Sequence, residues 1–151
     1  MKEQKEIIST INKLIETLKD GEEGFKEASE GVKDPQLKSV FNEYSRQRSH
    51  FAAELQGQAQ SLGESEPEAS SSAAGALHRA WMNLKSVVTS GDDHAILAEC
   101  ERGEDSAVEE YKKAIENGLS MPVREVVSQQ YVEIKRAHDH IKNLRDTTKK
   151  G

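Results

Sequence analysis

The sequence is poor in residues that cross-link or interrupt a chain: 151 residues include one cysteine, three prolines and one tryptophan. The single cysteine, Cys100, excludes an internal disulfide and a zinc site built from several cysteines. No apolar run approaches the roughly 20 residues of a membrane span. The charged residues 1–6 lack the apolar core of a signal peptide. We therefore expect a cytoplasmic protein.

A basic face is also missing. The formal net charge is −6, the pI is near 5.4, and charged residues make up 32% of the chain against 34% hydrophobic residues. Because binding to a phosphate backbone needs clustered lysine and arginine, no nucleic-acid partner is expected, and no membrane partner either. A low apolar fraction with many charges is typical of slender helices that each bury one stripe.

Apolar residues recur at helical spacing along most of the chain, with no strand-like alternation. The pattern predicts an all-α single domain over 1–151: a ferritin-like, up-down-down-up four-helix bundle whose long crossover carries a short fifth helix. A plain up-down-up-down bundle is the alternative. The predicted helices span about 3–31, 35–62, 76–90 (short), 92–117 and 121–146, with a Ser-, Glu- and Gly-rich linker at 63–75.

Four polar residues fall on or beside the apolar stripes of the long helices. Counting from the helix ends in the crossover topology places Glu22, Arg48, the turn from Glu99 to Glu104, and His138 at one height. Buried charge must be paired or bound to metal, because desolvation costs several kcal/mol per ion. One interpretation is a structural network, with Arg48 between Glu22 and Glu99 and with His138 bonded to a carboxylate.

The second interpretation of this cluster is a metal site for iron or manganese, with Glu22, Glu99 and His138 as ligands. A full di-iron centre is not expected, because ferritin-like centres use two Glu-x-x-His motifs and the sequence has none. Arg48 on the stripe of the second helix would also repel a dication. No catalytic residue is assigned.

The crossover supplies two further candidates, His78 and Trp81, as an interaction site. Trp81 is expected to fix the short helix to the bundle, while a role in partner binding predicts an exposed apolar patch around Trp81, Leu84 and Val88. In the first helix, Gly21 and Gly24 either bend the helix or allow another element to approach closely.

Several segments together resemble a family. They are LIETLKDGEEGF (14–25), HRAW (78–81), ECERGED (99–105), HD (138–139) and LRD (144–146). The chain resembles the bacterial ferritin-like four-helix-bundle family of unknown function, over nearly its whole length. The resemblance implies a ferritin-like bundle in a bacterial cytoplasm, and the wider superfamily implies iron or manganese chemistry.

Three functions therefore stay open. The first is a non-enzymatic bundle, related to stress, with a structural polar cluster. The second is a metal-binding protein that stores iron or handles peroxide. The third is a helical module that binds a protein partner. Association into a homo-oligomer is compatible with all three, and the sequence does not determine it.

Overall fold

The computed structural model describes residues 4–63, 81 and 83–148, and these form five α-helices. The helices are α1 (Gln4–Gly31), α2 (Pro35–Ser61), α3 (Leu84–Ser90), α4 (Asp93–Glu116) and α5 (Val123–Thr147). The predicted long helices are confirmed to within two residues at each end. Most of the predicted linker and the first part of the predicted short helix lie outside the described residues. Within the described part, no helix is long and apolar enough to cross a membrane.

The helix boundaries follow from local capping chemistry. Asp34 caps α2 by accepting a hydrogen bond from the Gln36 amide at 2.8 Å, and Pro35 occupies the first helical position. Asp92 caps α4 through the His94 amide at 3.0 Å. Gly91 ends α3 with a φ of 72°, a conformation that glycine adopts without a steric penalty.

Contacts between helices establish the crossover topology. Lys13 Nζ of α1 lies 3.7 Å from Glu110 Oε1 of α4. At the other end of the bundle, the Asp93 carboxylate at the start of α4 accepts a hydrogen bond from the backbone amide of Lys33, just after α1. Helices α1 and α4 are therefore antiparallel. Since α1 is also antiparallel to α2 across a three-residue turn, α2 and α4 run in the same direction. The expected up-down-down-up order is confirmed, and the plain up-down-up-down alternative is excluded.

The apolar stripes meet in two hydrophobic clusters, one towards each end of the bundle. One cluster contains Ile11, Leu55 and Tyr111, and the other contains Phe25, Phe41 and Ile141. A charged pair, described below, lies between them. Two apolar clusters therefore flank a buried charged pair.

Two glycines make room for the crossover. A Cβ atom on Gly24 of α1 would lie 2.3 Å from the Trp81 ring, and one on Gly103 of α4 would lie 2.2 Å from the same ring. The indole thus fills a slot between α1 and α4, with its ring centroid 5.3 Å from that of Phe25. Of the two roles considered for Gly24, close approach is the one that the structure supports.

The slot predicts that the effect of Gly103→Ala on the free energy of unfolding changes sign when Trp81 is removed. Gly103→Ala should destabilise the wild-type protein, because the new methyl group would overlap the indole. In a Trp81→Ala background the same substitution should stabilise the fold by up to about 1 kcal/mol, since alanine is the better helix former. Trp81→Ala alone should cost about 3 kcal/mol, the lower end for removal of a large aromatic side chain.

The measurement is the free energy of unfolding from urea denaturation followed by far-UV circular dichroism, across all four members of the cycle. Gly57→Ala is the matched control, because nothing lies within 4 Å of a Cβ at that position. An equal effect of Gly103→Ala in both backgrounds would show that the indole does not occupy the slot.

Candidate functional site

The middle layer of the bundle contains a fully buried ion pair. Arg48 of α2 is 1% exposed and Glu104 of α4 is 0% exposed. Arg48 Nη1 donates to Glu104 Oε2 at 2.6 Å, and Nη2 donates to Oε1 at 2.6 Å. Arg48 Nε donates to Gln47 Oε1 at 3.2 Å. Such a bidentate pair satisfies both carboxylate oxygens at once.

Helix α1 contributes the wall of this layer. A Cβ on Gly21 would lie 3.5 Å from Arg48 Nη1, and the Phe25 ring centroid lies 5.2 Å from Arg48 Cζ. The guanidinium is therefore covered by a glycine backbone and by an aromatic face, which attracts a cation. Gly21, not Glu22, is the residue of α1 that faces Arg48.

The ion pair shifts the pKa values of the groups in this layer. Burial disfavours the charged guanidinium, but the carboxylate of Glu104 outweighs it and raises the pKa of Arg48. The pKa of the Cys100 thiol is raised well above its ordinary value by burial first and then by the negative charges of Glu104 and Glu99. Cys100 is therefore a buried, protonated thiol and not an activated nucleophile.

The expected carboxylate partners of Arg48 were wrong. Glu22 pairs with Lys19 of its own helix at 3.5 Å, and Glu99 pairs with Arg102 at 3.0 Å. Partners three residues away on the same helix are available to both without crossing the core. The height estimate was good enough to include the Glu99–Glu104 turn, but it did not resolve which acid of that turn points inwards.

One sequence signal could have identified Glu104. It follows Leu97 by seven residues and Cys100 by four, and it precedes Ala107 by three, so it lies on the centre of the apolar stripe of α4. All three of these neighbours are buried. Glu99 lies one residue off that stripe.

His138 belongs to a different group, at the seam between α4 and α5. Its Nε2 lies 2.5 Å from Asp105 Oδ1, and its Nδ1 lies 3.0 Å from Asp139 Oδ1. Glu101, one turn before Asp105, offers a third donor. Ligand atoms of Glu101, Asp105 and His138 all lie within 4.8 Å of one another, and no other such trio occurs among residues 4–63, 81 and 83–148. The predicted trio of Glu22, Glu99 and His138 is thus not brought together.

The environment of this trio is strongly polar. Partial burial lowers the pKa of His138, but its hydrogen bonds to Asp139 and Asp105 outweigh that effect and leave the pKa raised. Arg145 Nη1 lies 2.6 Å from Glu101 Oε1, and Nη2 lies 2.8 Å from Asp146 Oδ1. The guanidinium of Arg145 therefore already supplies a positive charge next to Glu101 at this seam.

The predicted interaction patch is only partly covered. Leu84 is 1% exposed, whereas Val88 and Trp81, which lies in the slot between Gly24 and Gly103, are half-buried. His78 lies outside the described residues. An interaction role for His78 and Trp81 therefore stays a prediction.

A second buried polar network was not anticipated. Gln130 of α5 is 2% exposed; its Oε1 accepts a hydrogen bond from the Tyr111 hydroxyl at 2.7 Å. Its Nε2 donates to the Phe51 carbonyl at 3.2 Å and to Glu54 Oε1 at 2.9 Å. The glutamine thus links the core to the α2–α5 surface. Gln130 lies three residues after Val127 and four before Ile134 on the buried stripe of α5, which is the signal that sequence reasoning passed over.

Comparisons with known proteins define the family. The model of a domain of unknown function, DUF2383, matches residues 6–117, about three quarters of the chain. The chain belongs to the DUF2383 family. The structure is also similar to that of a C-terminal deletion mutant of Mycobacterium smegmatis Dps, with a TM-score of 0.69, 14% sequence identity, and coverage of 93% of this chain and 98% of that one. Among curated proteins there is no significant match. The ferritin-like fold expected from the sequence is confirmed.

The interior of this DUF2383 protein does not fit the di-metal centre that a ferritin-like fold implies. Arg48 places a fixed positive charge at mid-bundle, and both oxygens of Glu104 are engaged by it. Gln130, which is 2% exposed, offers an amide and no carboxylate. A dication at this layer would have to displace the guanidinium that already binds both oxygens of Glu104.

The pair predicts a strongly uneven pattern of mutational cost in this DUF2383 protein. Arg48→Met should lower the free energy of unfolding by about 3–5 kcal/mol, because it leaves Glu104 buried without a partner. Adding Glu104→Leu should recover much of that loss, since the remaining void is apolar.

Chemical denaturation of both single variants and the double variant provides the measurement. The control is Arg136→Ala, which removes an exposed ion pair with Glu133 at 2.9 Å and should cost under about 1 kcal/mol. If the double variant is no more stable than Arg48→Met, the ion pair is not the central constraint described here.

Proposed function

We propose that this protein binds a divalent first-row metal ion at the α4–α5 seam, through Glu101, Asp105 and His138. The observation that carries the proposal is the convergence of one imidazole nitrogen and two carboxylate oxygens within 4.8 Å. Metal–ligand bonds of about 2.0–2.2 Å need donors closer together than this, and small side-chain rotations can supply the difference. Such a mixed set suits iron(II) or manganese(II), and also zinc(II).

Asp139 supports His138 as a ligand. Metal-binding histidines commonly donate their second ring N–H to a carboxylate, which sets the tautomer and aims the free nitrogen at the ion. Here Asp139 Oδ1 lies 3.0 Å from Nδ1, so Nε2 is the nitrogen directed at Asp105. Glu101 and Asp105, four residues apart, project from the same face of α4.

The proposal replaces the predicted ligand set and keeps His138 from it. It also separates metal binding from the bundle interior, where Arg48 and Glu104 leave no vacancy for a cation. Three protein ligands would leave coordination positions to water, which is compatible with reversible binding and supports a role in holding or handling metal. We infer no reaction and assign no catalytic residue.

The proposal is tested by isothermal titration calorimetry on untagged protein that has been treated with a chelator. The titrants are manganese(II), zinc(II) and, under anaerobic conditions, iron(II). We expect one site per chain. Asp105→Asn and His138→Gln should each weaken binding by at least about tenfold, and Asp139→Asn by about tenfold or less. Arg145→Gln should strengthen binding, because it removes the cation that competes for Glu101.

The controls are matched by residue type. His140→Gln removes a histidine from the same helix that instead lies 2.6 Å from the Tyr44 hydroxyl, and it should leave metal affinity unchanged. Glu22→Gln and Glu99→Gln examine the ligands expected from the sequence. Loss of binding in those two variants, with Asp105→Asn unaffected, would contradict the proposed site.

A further inference from the structure

A cavity lies on the seam between α2 and α5, away from the proposed metal site on the α4–α5 seam. It has a volume of about 400 Å³, within the range of small-molecule pockets. These two helices pack less extensively against each other than α1 packs against α2 or α4 against α5. The cavity is the gap that this loose packing leaves.

The lining of the cavity combines apolar walls with negative charge. Phe51, Val126 and Val132 supply the apolar lining, and Glu54 and Glu133 supply carboxylates. Val132 is 48% exposed, which is unusual for a large apolar residue in this chain. The eight lining residues include two acids, one histidine and no lysine or arginine. His50 Nε2 lies 3.9 Å from Glu54 Oε2, and Arg136, outside the lining, pairs with Glu133 at 2.9 Å, so a bound cation would share these carboxylates with them. A ligand that matches this surface carries a positive charge on an apolar body.

The interior network holds one of these acids in place. Gln130 is itself part of the lining, is almost fully buried, and donates its Nε2 hydrogen to Glu54 Oε1 at 2.9 Å. The Tyr111 hydroxyl in turn fixes the amide of Gln130. Glu54 thus has one oxygen anchored from the core, so its charge is placed before any ligand arrives, and this reduces the entropy lost on binding.

We propose that the α2–α5 cavity binds a small organic amine, with its ammonium group between Glu54 and Glu133 and its apolar body against Phe51, Val126 and Val132. The ligand class follows from charge complementarity and from the concave, small-molecule size of the cavity. A free amine is favoured over a lysine of a protein partner, because a volume of about 400 Å³ suits a compact ligand. This site is independent of the metal site on the α4–α5 seam.

The experiment is a titration of the full chain, followed by ¹H–¹⁵N correlation spectra, with three probes that share one body. These are 2-phenylethylamine, 2-phenylethanol and phenylacetate, which are positive, neutral and negative. The amine should shift the amide signals of residues 50–54 and 126–133, and its binding should weaken as salt is added. The neutral probe should bind more weakly, and the anion should not bind.

Variants locate the charge. Glu54→Gln and Glu133→Gln should each weaken amine binding by about two- to fivefold, as expected for partly exposed charge pairs. Glu125→Gln removes the same charge from an exposed position on α5 outside the lining and should leave binding unchanged. Gln130→Leu should weaken binding while Glu54 is still present, because it releases the anchored oxygen.

Three results would overturn the proposal. The first is equal binding of phenylacetate and the amine, and the second is unchanged amine affinity in both Glu54→Gln and Glu133→Gln. The third is binding of a lysine-containing peptide when the free amine does not bind, which would assign the cavity to a protein partner. Unfolding curves of each variant, recorded alongside, distinguish lost affinity from a lost fold.

Discussion

The ion pair between Arg48 and Glu104 is the constraint on which the rest of the structure depends. Two charges in a dry core are tolerated only when their hydrogen-bonding groups are satisfied together, and here the guanidinium and the carboxylate meet in bidentate geometry. This requirement sets the register of α2 against α4. At this height α1 presents Gly21, which leaves room for the guanidinium, and the face of Phe25, which attracts it.

The long crossover makes that pairing available. Helices α2 and α4 run in the same direction, and Arg48 and Glu104, each near the middle of its helix, lie opposite each other. The crossover is in turn held by Trp81, whose ring occupies the slot that Gly24 and Gly103 leave open. Gly24 and Gly103, which have no side chains, thus help to hold the crossover that brings Arg48 and Glu104 together.

Arg48 and Glu104 bind each other at the middle of the bundle, and this limits where a functional site can lie. A ferritin-like bundle in which the central polar layer is filled by its own arginine has no room there for metal chemistry. The chemically available groups instead lie at the seams: Glu101, Asp105 and His138 between α4 and α5, and Glu54 with Glu133 between α2 and α5. Each proposed site is built from side chains on two helices, so the helix packing that stabilises the bundle also positions those side chains.

The sequence alone determined the helices and their ends, because apolar spacing and capping residues are local properties, and it favoured the crossover order without excluding an up-down-up-down bundle. It also determined that Arg48 would be buried, since the residue lies in line with an apolar stripe. Only the tertiary structure decided which acid meets it and which groups surround His138. Those choices depend on the rotation of each helix about its axis, where a difference of one residue, as between Glu22 and Gly21, turns a side chain by about 100°.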